Sequence, residues 1–169
     1  MAGKRTSTTG PASRRSGKMS LKILFLHGLE SKPGGSKVKF LESLGHEVIN
    51  PALPKDSWSD SVKIAKECML SEPDIVIGSS RGGALAMEVS SFTTRLILIA
   101  PAWYKYDVPH VVPYGTQILH CLNDDVVSYG DSSKLMTRND GVRLIEVGES
   151  HRMSDQEALD MLAIALGRA

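Results

Sequence analysis

A chain of 169 residues with 41% hydrophobic and 23% charged residues has the size and composition of one globular domain. Its longest apolar run is about six residues, interrupted by a proline at positions 96–102, whereas a membrane-spanning helix needs roughly 20. The net charge of +1 includes five basic and no acidic residues in positions 1–19, which leaves 15 basic against 19 acidic residues elsewhere. Composition and charge therefore argue against a membrane protein and against a nucleic-acid-binding surface.

Residues 1–19 are predicted to form a disordered basic tail, because they are rich in Ser, Thr, Gly and Pro and show no hydrophobic periodicity. The tail lacks the apolar stretch of a secretory signal. Its composition fits a transit peptide, a nucleic-acid-contacting arm or sequence added for expression, and Met19 is equally acceptable as a natural start. The folded domain is therefore expected over residues 20–169.

Six short runs rich in Ile, Val and Leu predict buried strands. They lie at residues 21–26, 47–50, 74–78, 95–100, 116–121 and 142–147. Segments with helical periodicity alternate with them, at residues 35–44, 58–70, 83–89, 129–137 and 154–166. The last helix is predicted to begin with a capping box, Ser154 with Glu157 three residues later. This alternation predicts one α/β domain with an about six-stranded, mainly parallel sheet and helices on both faces.

The run Gly-Ser-Ser-Arg-Gly at residues 78–82 matches G-x-S-x-G, in which the serine occupies a sharp strand-to-helix turn. A predicted strand precedes Ser80, and residues 81–89 can follow as the helix. The flanking glycines let chain segments approach where a Cβ would clash. Ser79 is the competing hydroxyl and an unreactive tight turn is the alternative, but the glycine spacing favours Ser80 as a nucleophile.

A serine nucleophile needs a base that is itself oriented by an acid, and after this type of turn the chain order is Ser, acid, His. His151 follows the sixth predicted strand and is the expected base, with a surface histidine flanking the last helix as the alternative. The other histidines fit less well. His46 precedes Ser80, His110 lies in the long non-periodic segment between the fourth and fifth strands, and His120 lies inside the fifth strand.

Three aspartates are candidates for the acid. Asp124 and Asp125 directly follow the fifth predicted strand, and their side chains point in different directions, so only one is expected to reach the imidazole. Asp107, after the fourth strand, is the third candidate. Asp124 is the preferred acid, while a solvated turn residue is the alternative for each of them.

An oxyanion hole is the fourth requirement, and it needs two backbone N–H donors. One is expected from Arg81, directly after the nucleophile, and the other from Leu29, in the glycine-rich loop 27–36 after the first strand. His27 is expected to hold the shape of this loop rather than to act as a base. The loop does not have the spacing of a phosphate-binding loop, and G-x-G-x-x-G does not occur in the sequence.

Four motifs in this order resemble the α/β-hydrolase superfamily, and especially its small, lid-less bacterial-type esterases. They are a strand followed by His27-Gly28, the run 78–83, His120-x-x-x-Asp124-x-Val126-Val127 and Gly148-x-x-His151. The resemblance spans about residues 20–168. It implies a catalytic triad of Ser80, Asp124 and His151, the oxyanion hole named above, and a shallow, open pocket without a cap domain.

Two residues depart from the usual pattern of that superfamily. Cys121 stands where glycine usually follows His120, which loosens the assignment of Asp124. Arg81 replaces the commoner small or apolar residue beside the nucleophile, and its side chain is expected either to be solvated or to favour an anionic substrate group. The antiparallel strands that usually open the larger members are also missing.

The sequence therefore predicts a serine hydrolase that cleaves a small ester or thioester through an acyl-enzyme. His27, Trp103 and Tyr104 are tentative substrate contacts. No metal and no organic cofactor is implied, and the partner is a small molecule rather than a nucleic acid or a membrane. The alternatives are a peptidase with the same triad and a catalytically idle scaffold that binds a ligand or a protein.

The two cysteines, Cys68 and Cys121, form neither a disulfide framework nor a zinc-ligand cluster. Both have apolar neighbours, so buried and reduced thiols are expected. This favours a reducing, cytoplasmic compartment. The sequence leaves the natural substrate and the oligomeric state open.

Overall fold

A computed structural model describes residues 19–167 of the protein. The predicted basic tail, apart from Met19, and residues 168–169 lie outside the described part. Six strands are present: β1 Lys22–Leu26, β2 Glu47–Ile49, β3 Ile75–Ser79, β4 Leu96–Ile99, β5 Gln117–His120 and β6 Arg143–Glu146. The helices are α1 Ser36–Ser43, α2 Trp58–Met69, α3 Arg81–Val89, α4 Tyr129–Arg138 and α5 Gln156–Gly167, with a 3₁₀ turn at Trp103–Lys105.

The six strands form one sheet in the order β2-β1-β3-β4-β5-β6, and every neighbouring pair is parallel. The predicted six-stranded, mainly parallel sheet is thus confirmed. The chain runs outward from β1 to β2 and then crosses back to β3 on the other side of β1. Ligands of open α/β sheets bind at such a reversal, outside the carboxyl ends of the strands.

Alternate residues of the central strands fill two separate cores, one on each face of the sheet. On the first face the strand residues pack with α2, α3 and α4, and they include Leu24, Leu26, Val76, Leu98 and Ile118. On the second face they pack with α1 and α5, and they include Ile23, Phe25, Ile77, Ile99 and Leu119. Helices therefore cover both faces, as the sequence predicted.

The start of α5 differs from the prediction. Helix α5 begins at Gln156, so Asp155 rather than Ser154 is the residue before it, and the Asp155 carboxylate accepts the Ala158 N–H at 3.0 Å. The predicted capping box at Ser154 is wrong by one residue. A carboxylate at this position also interacts favourably with the positive end of the helix dipole.

The connections between the described elements carry no inserted domain, so residues 19–167 contain no cap over the sheet. In the same part of the chain, none of the helices combines the length and the apolar character needed to cross a membrane.

Candidate active site

Ser80 lies on the sharp turn between β3 and α3, at the reversal point of the sheet. Its backbone has φ 55° and ψ −118°. A non-glycine residue rarely adopts a positive φ, and such strain is concentrated at functional sites. The turn therefore holds the Ser80 side chain in an enforced position above the carboxyl end of the sheet.

Three glycines around Ser80 are needed for steric reasons. A Cβ added at Gly78 would lie 2.3 Å from the Gly82 carbonyl oxygen, and one at Gly82 would lie 2.0 Å from the Leu26 carbonyl oxygen. A Cβ at Gly83 would lie 2.8 Å from the Pro101 Cβ. The close approach at Gly82 brings the start of α3 against the end of β1, and thereby places the loop after β1 beside Ser80.

The structure brings Ser80, His151 and Asp124 into one hydrogen-bonded chain. His151 Nε2 lies 3.0 Å from Ser80 Oγ, and His151 Nδ1 lies 2.7 Å from Asp124 Oδ2. Because a carboxylate accepts, Nδ1 carries the proton and the Nε2 lone pair faces the Ser80 hydroxyl. Asp125 and Asp107 are exposed, and neither bonds to His151. Of the three candidate acids, Asp124 is the one that contacts the imidazole.

The Asp124 carboxylate is buried and accepts four hydrogen bonds. Oδ1 accepts the backbone N–H groups of Val126 and Val127, each at 2.8 Å. Oδ2 accepts from His151 and from His120, whose Nε2 lies 3.1 Å away. Burial raises the pKa of Asp124, but the hydrogen bonds from Val127, His151 and Val126 together outweigh it, so the pKa lies below its ordinary value. The carboxylate is therefore ionised at neutral pH.

His120 is fully buried beneath Asp124. Its Nε2 also lies 3.1 Å from the Val127 carbonyl oxygen, and its Nδ1 lies 2.7 Å from Ser132 Oγ. Since a carbonyl can only accept, Nε2 carries the proton and Nδ1 accepts the Ser132 hydroxyl. His120 was part of a predicted motif but had no predicted role, and Ser132 was not predicted as a member of the site. One signal in the sequence could have indicated the role of His120. A histidine at a buried strand position needs polar partners, and His120 lies four residues before the acid.

The loop after β1 packs directly against Ser80. A Cβ added at Gly28 would lie 3.4 Å from the Ser80 Cβ. Among residues 19–167, the backbone N–H groups of Leu29 and Arg81 donate to no other group of the protein.

The Arg81 side chain departs from both expectations, because it is neither solvated nor directed at a substrate. It is only 3% exposed, and its Nη2 donates to the Pro54 carbonyl at 3.0 Å and to Ser61 Oγ at 3.0 Å. The guanidinium carbon also lies 5.5 Å from the Trp58 ring centroid, a cation–π distance. Arg81 thus fastens the start of α2 to the turn that carries Ser80.

Two of the three tentative substrate contacts, Trp103 and His27, are buried and hydrogen-bonded within the protein. Trp103 is completely buried and donates its indole N–H to the Asp131 carbonyl at 3.1 Å, because the 3₁₀ turn directs the ring into the core. His27 uses both ring nitrogens inside the protein. Its Nδ1 donates to the Gly28 carbonyl at 2.8 Å, and its Nε2 accepts the Leu53 N–H at 3.2 Å. His27 therefore holds the shape of the loop, while Tyr104, 66% exposed, is accessible from solvent.

A cleft of about 80 Å³ adjoins the turn on the side of β1 and α1. It is lined by residues of the loop after β1 and the start of α1, together with Phe25, Asn50 and Ser79. Lys37, at its rim, donates to the Arg152 carbonyl, and burial lowers the pKa of Lys37 to about 8. This contact ties α1 to the loop that carries His151. No cluster of histidines, cysteines or carboxylates in the described residues is arranged to hold a metal ion.

Comparison with solved structures identifies the fold. The α/β hydrolase MGS-MChE2, from a sediment metagenome of the Mar Chica lagoon in Morocco, matches with a TM-score of 0.68 at 17% identity, over 88% of this chain and 90% of that one. Est1E from Butyrivibrio proteoclasticus, with ferulic acid bound, matches at 0.67 and 13% identity, over 90% and 89%. The esterase domain of a Rhodothermus marinus protein matches at 0.63 and 15% identity, over 87% and 84%.

These likenesses show that the chain has the α/β-hydrolase fold, and that its structural neighbours include esterases and other hydrolases. No protein-family model matches the sequence, and no curated protein is significantly similar to it.

Proposed function

We propose that this protein is a serine hydrolase that cleaves small esters or thioesters through an acyl-enzyme. The observation that carries the proposal is the continuous chain from Ser80 Oγ to His151 at 3.0 Å and from His151 to Asp124 at 2.7 Å. A binding protein gains nothing from a strained serine aligned with an oriented imidazole. The fold shared with esterases is consistent with this chemistry.

The reaction begins when His151 Nε2 takes the Ser80 proton and Oγ attacks the substrate carbonyl carbon. Ionised Asp124 keeps the imidazole in the required tautomer and supports its positive charge. The developing oxyanion is stabilised by the backbone N–H groups of Leu29 and Arg81. His151 then protonates the leaving alkoxide or thiolate, the carbon–oxygen or carbon–sulfur bond breaks, and water repeats the sequence to release the acid and restore Ser80.

The substrate is expected to be small around its acyl group. Residues 19–167 carry no inserted domain over the sheet. The cleft next to the turn, which is lined by Ser79 rather than by Ser80, measures about 80 Å³. A short acyl group fits such a space, whereas a large leaving group extends into solvent. Because Est1E binds ferulic acid, a hydroxycinnamate ester belongs in the substrate panel beside acetyl, butyryl and octanoyl esters and thioesters.

A fluorophosphonate probe tests the nucleophile directly. We expect labelling of the wild type and no labelling of Ser80→Ala. Ser79→Ala is the matched control, since it removes the adjacent hydroxyl, which has no bond to His151, and labelling should remain. An unlabelled wild type, or equal labelling of Ser80→Ala, would refute the proposal and favour an idle binding scaffold. Faster cleavage of peptides than of any ester would point to a peptidase instead.

A further inference from the structure

We propose that His120 is a positioning residue that holds both oxygens of the Asp124 carboxylate in place for His151. This inference rests on the proposed hydrolase function and extends it by one further group. His120 belongs to one of the motifs of the family resemblance, but the triad chemistry gives it no role, and it lies completely buried against the acid.

A single N–H of His120 contacts one Asp124 oxygen directly and the residue that holds the other oxygen. Nε2 lies 3.1 Å from Oδ2, the same oxygen that accepts the His151 proton, and so sets its direction. Nε2 also lies 3.1 Å from the carbonyl of Val127, the residue whose N–H holds Oδ1 at 2.8 Å. Without His120, Oδ2 would keep His151 as its one hydrogen-bond partner. The Val127 backbone, whose N–H donates to Oδ1, would lose the hydrogen bond that its carbonyl accepts.

Ser132 fixes the tautomer that this arrangement needs. Its hydroxyl lies 2.7 Å from His120 Nδ1 and is itself fully buried on α4. Because Ser132 donates to Nδ1, the ring proton stays on Nε2, where Asp124 and Val127 require it. The hydrogen-bonded chain therefore runs from Ser132 through His120, Asp124 and His151 to Ser80.

The charge state of His120 suits this role. Burial lowers the pKa of His120, and the nearby His151 lowers it further, while Val127 and Asp124 act in the opposite direction. The ring is therefore neutral at neutral pH. A neutral donor orients Asp124 without cancelling its charge, whereas a second cation would oppose the imidazolium that His151 forms during the reaction.

The test compares His120→Leu, which fills the space without a donor, with His120→Gln, whose amide can donate to Asp124 and Val127. Thr116→Val is the matched control. It removes a buried hydrogen bond of 2.7 Å from the Thr116 hydroxyl to the Pro113 carbonyl, directly before the start of β5. We measure kcat and KM on p-nitrophenyl acetate, thermal stability, and the low-field proton resonance of the His151–Asp124 hydrogen bond.

We expect His120→Leu to lower kcat about 10- to 100-fold, the size expected when one hydrogen bond to a charged group is lost, with KM within about twofold. His120→Gln should recover most of kcat. Thr116→Val should keep kcat within about twofold despite a comparable loss of stability. The low-field resonance should disappear in His120→Leu and persist in the other two variants.

If His120→Leu keeps kcat and the low-field resonance, His120 only fills the core and the proposal is overturned. If His120→Leu does not fold, Ser132→Ala decides: a fall in kcat of about threefold supports the proposal, and an unchanged kcat overturns it. A wild type that neither reacts with a fluorophosphonate nor hydrolyses esters defeats the proposed function instead. In that case the resonance still decides the role of His120, because it needs no turnover.

Discussion

The contact between α3 and the end of β1 predicts that Gly82→Ala damages both stability and activity. Gly82 has an ordinary helical conformation, so helix propensity alone predicts a gain of about 1 kcal/mol from alanine. The new Cβ would lie 2.0 Å from the Leu26 carbonyl oxygen and 2.7 Å from the His27 carbonyl oxygen. These are backbone atoms next to a central strand and cannot rotate away. The steric effect should therefore reverse the sign that propensity predicts.

The size of the effect follows from the distance to be recovered. Ordinary van der Waals contact begins near 3.4 Å, so α3 must move by about 1.4 Å away from β1. Overpacking of this kind costs about 3 kcal/mol. In a chain of this length that corresponds to a fall in Tm of roughly 6–12 °C.

The same displacement separates the two proposed oxyanion donors, because Arg81 moves with α3 while Leu29 stays with the loop after β1. Losing one such donor lowers kcat by about 10²–10³-fold. We therefore expect kcat on a short ester to fall by that factor, with a smaller change in KM.

A graded series makes this prediction sharp. Gly83→Ala meets the Pro101 Cβ at 2.8 Å and should cost less, while Gly167→Ala meets nothing within 4 Å and should leave Tm unchanged or raised. Differential scanning calorimetry and steady-state kinetics on all three variants provide the measurements. A Gly82→Ala protein as stable and active as Gly167→Ala would refute the steric argument.

Three further predictions concern the acid and the Arg81 anchor. Asp124→Asn should lower kcat about 10³–10⁴-fold, because the amide favours the wrong imidazole tautomer, whereas Asp125→Asn should stay within about twofold of wild type in the same ester assay. Because the pKa of Asp124 is lowered in the folded protein, its ionised form stabilises the fold above the unfolded pKa of about 4, and this contribution is lost as pH falls through the folded pKa. Thermal melts between pH 2 and 7 should therefore show the Tm difference between wild type and Asp124→Asn shrinking at acid pH, and a constant difference would contradict this. Arg81→Met should lower the free energy of unfolding by about 2–4 kcal/mol, since it removes the hydrogen bonds of a buried guanidinium to the Pro54 carbonyl and Ser61 Oγ, while exposed Arg138→Met should change it by less than about 0.5 kcal/mol in urea titrations.

Most of the fold could be predicted from periodicity, because buried parallel strands need apolar residues on both faces. Each strand and α-helix of residues 19–167 was predicted, with bounds that agree with the structure to within about two residues. The error at Ser154 has a local cause, since either of two adjacent polar residues can cap a helix. Hydrophobic periodicity does not decide between them.

The position of Ser80 could also be predicted, because its turn has a local sequence requirement. No local sequence requirement distinguishes Asp124 from Asp125 as the acid, since either aspartate can begin a polar turn. The structure shows what distinguishes them: Asp124 Oδ1 is held by the two N–H groups of residues 126 and 127, which directs Oδ2 inward.

The directions of long side chains were the least predictable part of the site. Arg81 follows the nucleophile in sequence, yet its guanidinium reaches α2, whose position depends on packing across the whole first core. Trp103 lies in a loop with exposed neighbours, yet one 3₁₀ turn buries it. Both outcomes depend on tertiary contacts that no local pattern contains.

Because the six strands run in the same direction, Ser80 lies at one edge of the sheet and the opposite edge is free for attachment of another molecule. Within residues 19–167, the connections that lead into the strands reach the sheet at the end opposite Ser80, about 15 Å away for a strand of four or five residues. One of these connections, residues 90–95, carries the exposed Phe92. A fusion partner, a fluorophore or a solid support attached there would leave the Ser80 edge facing solution.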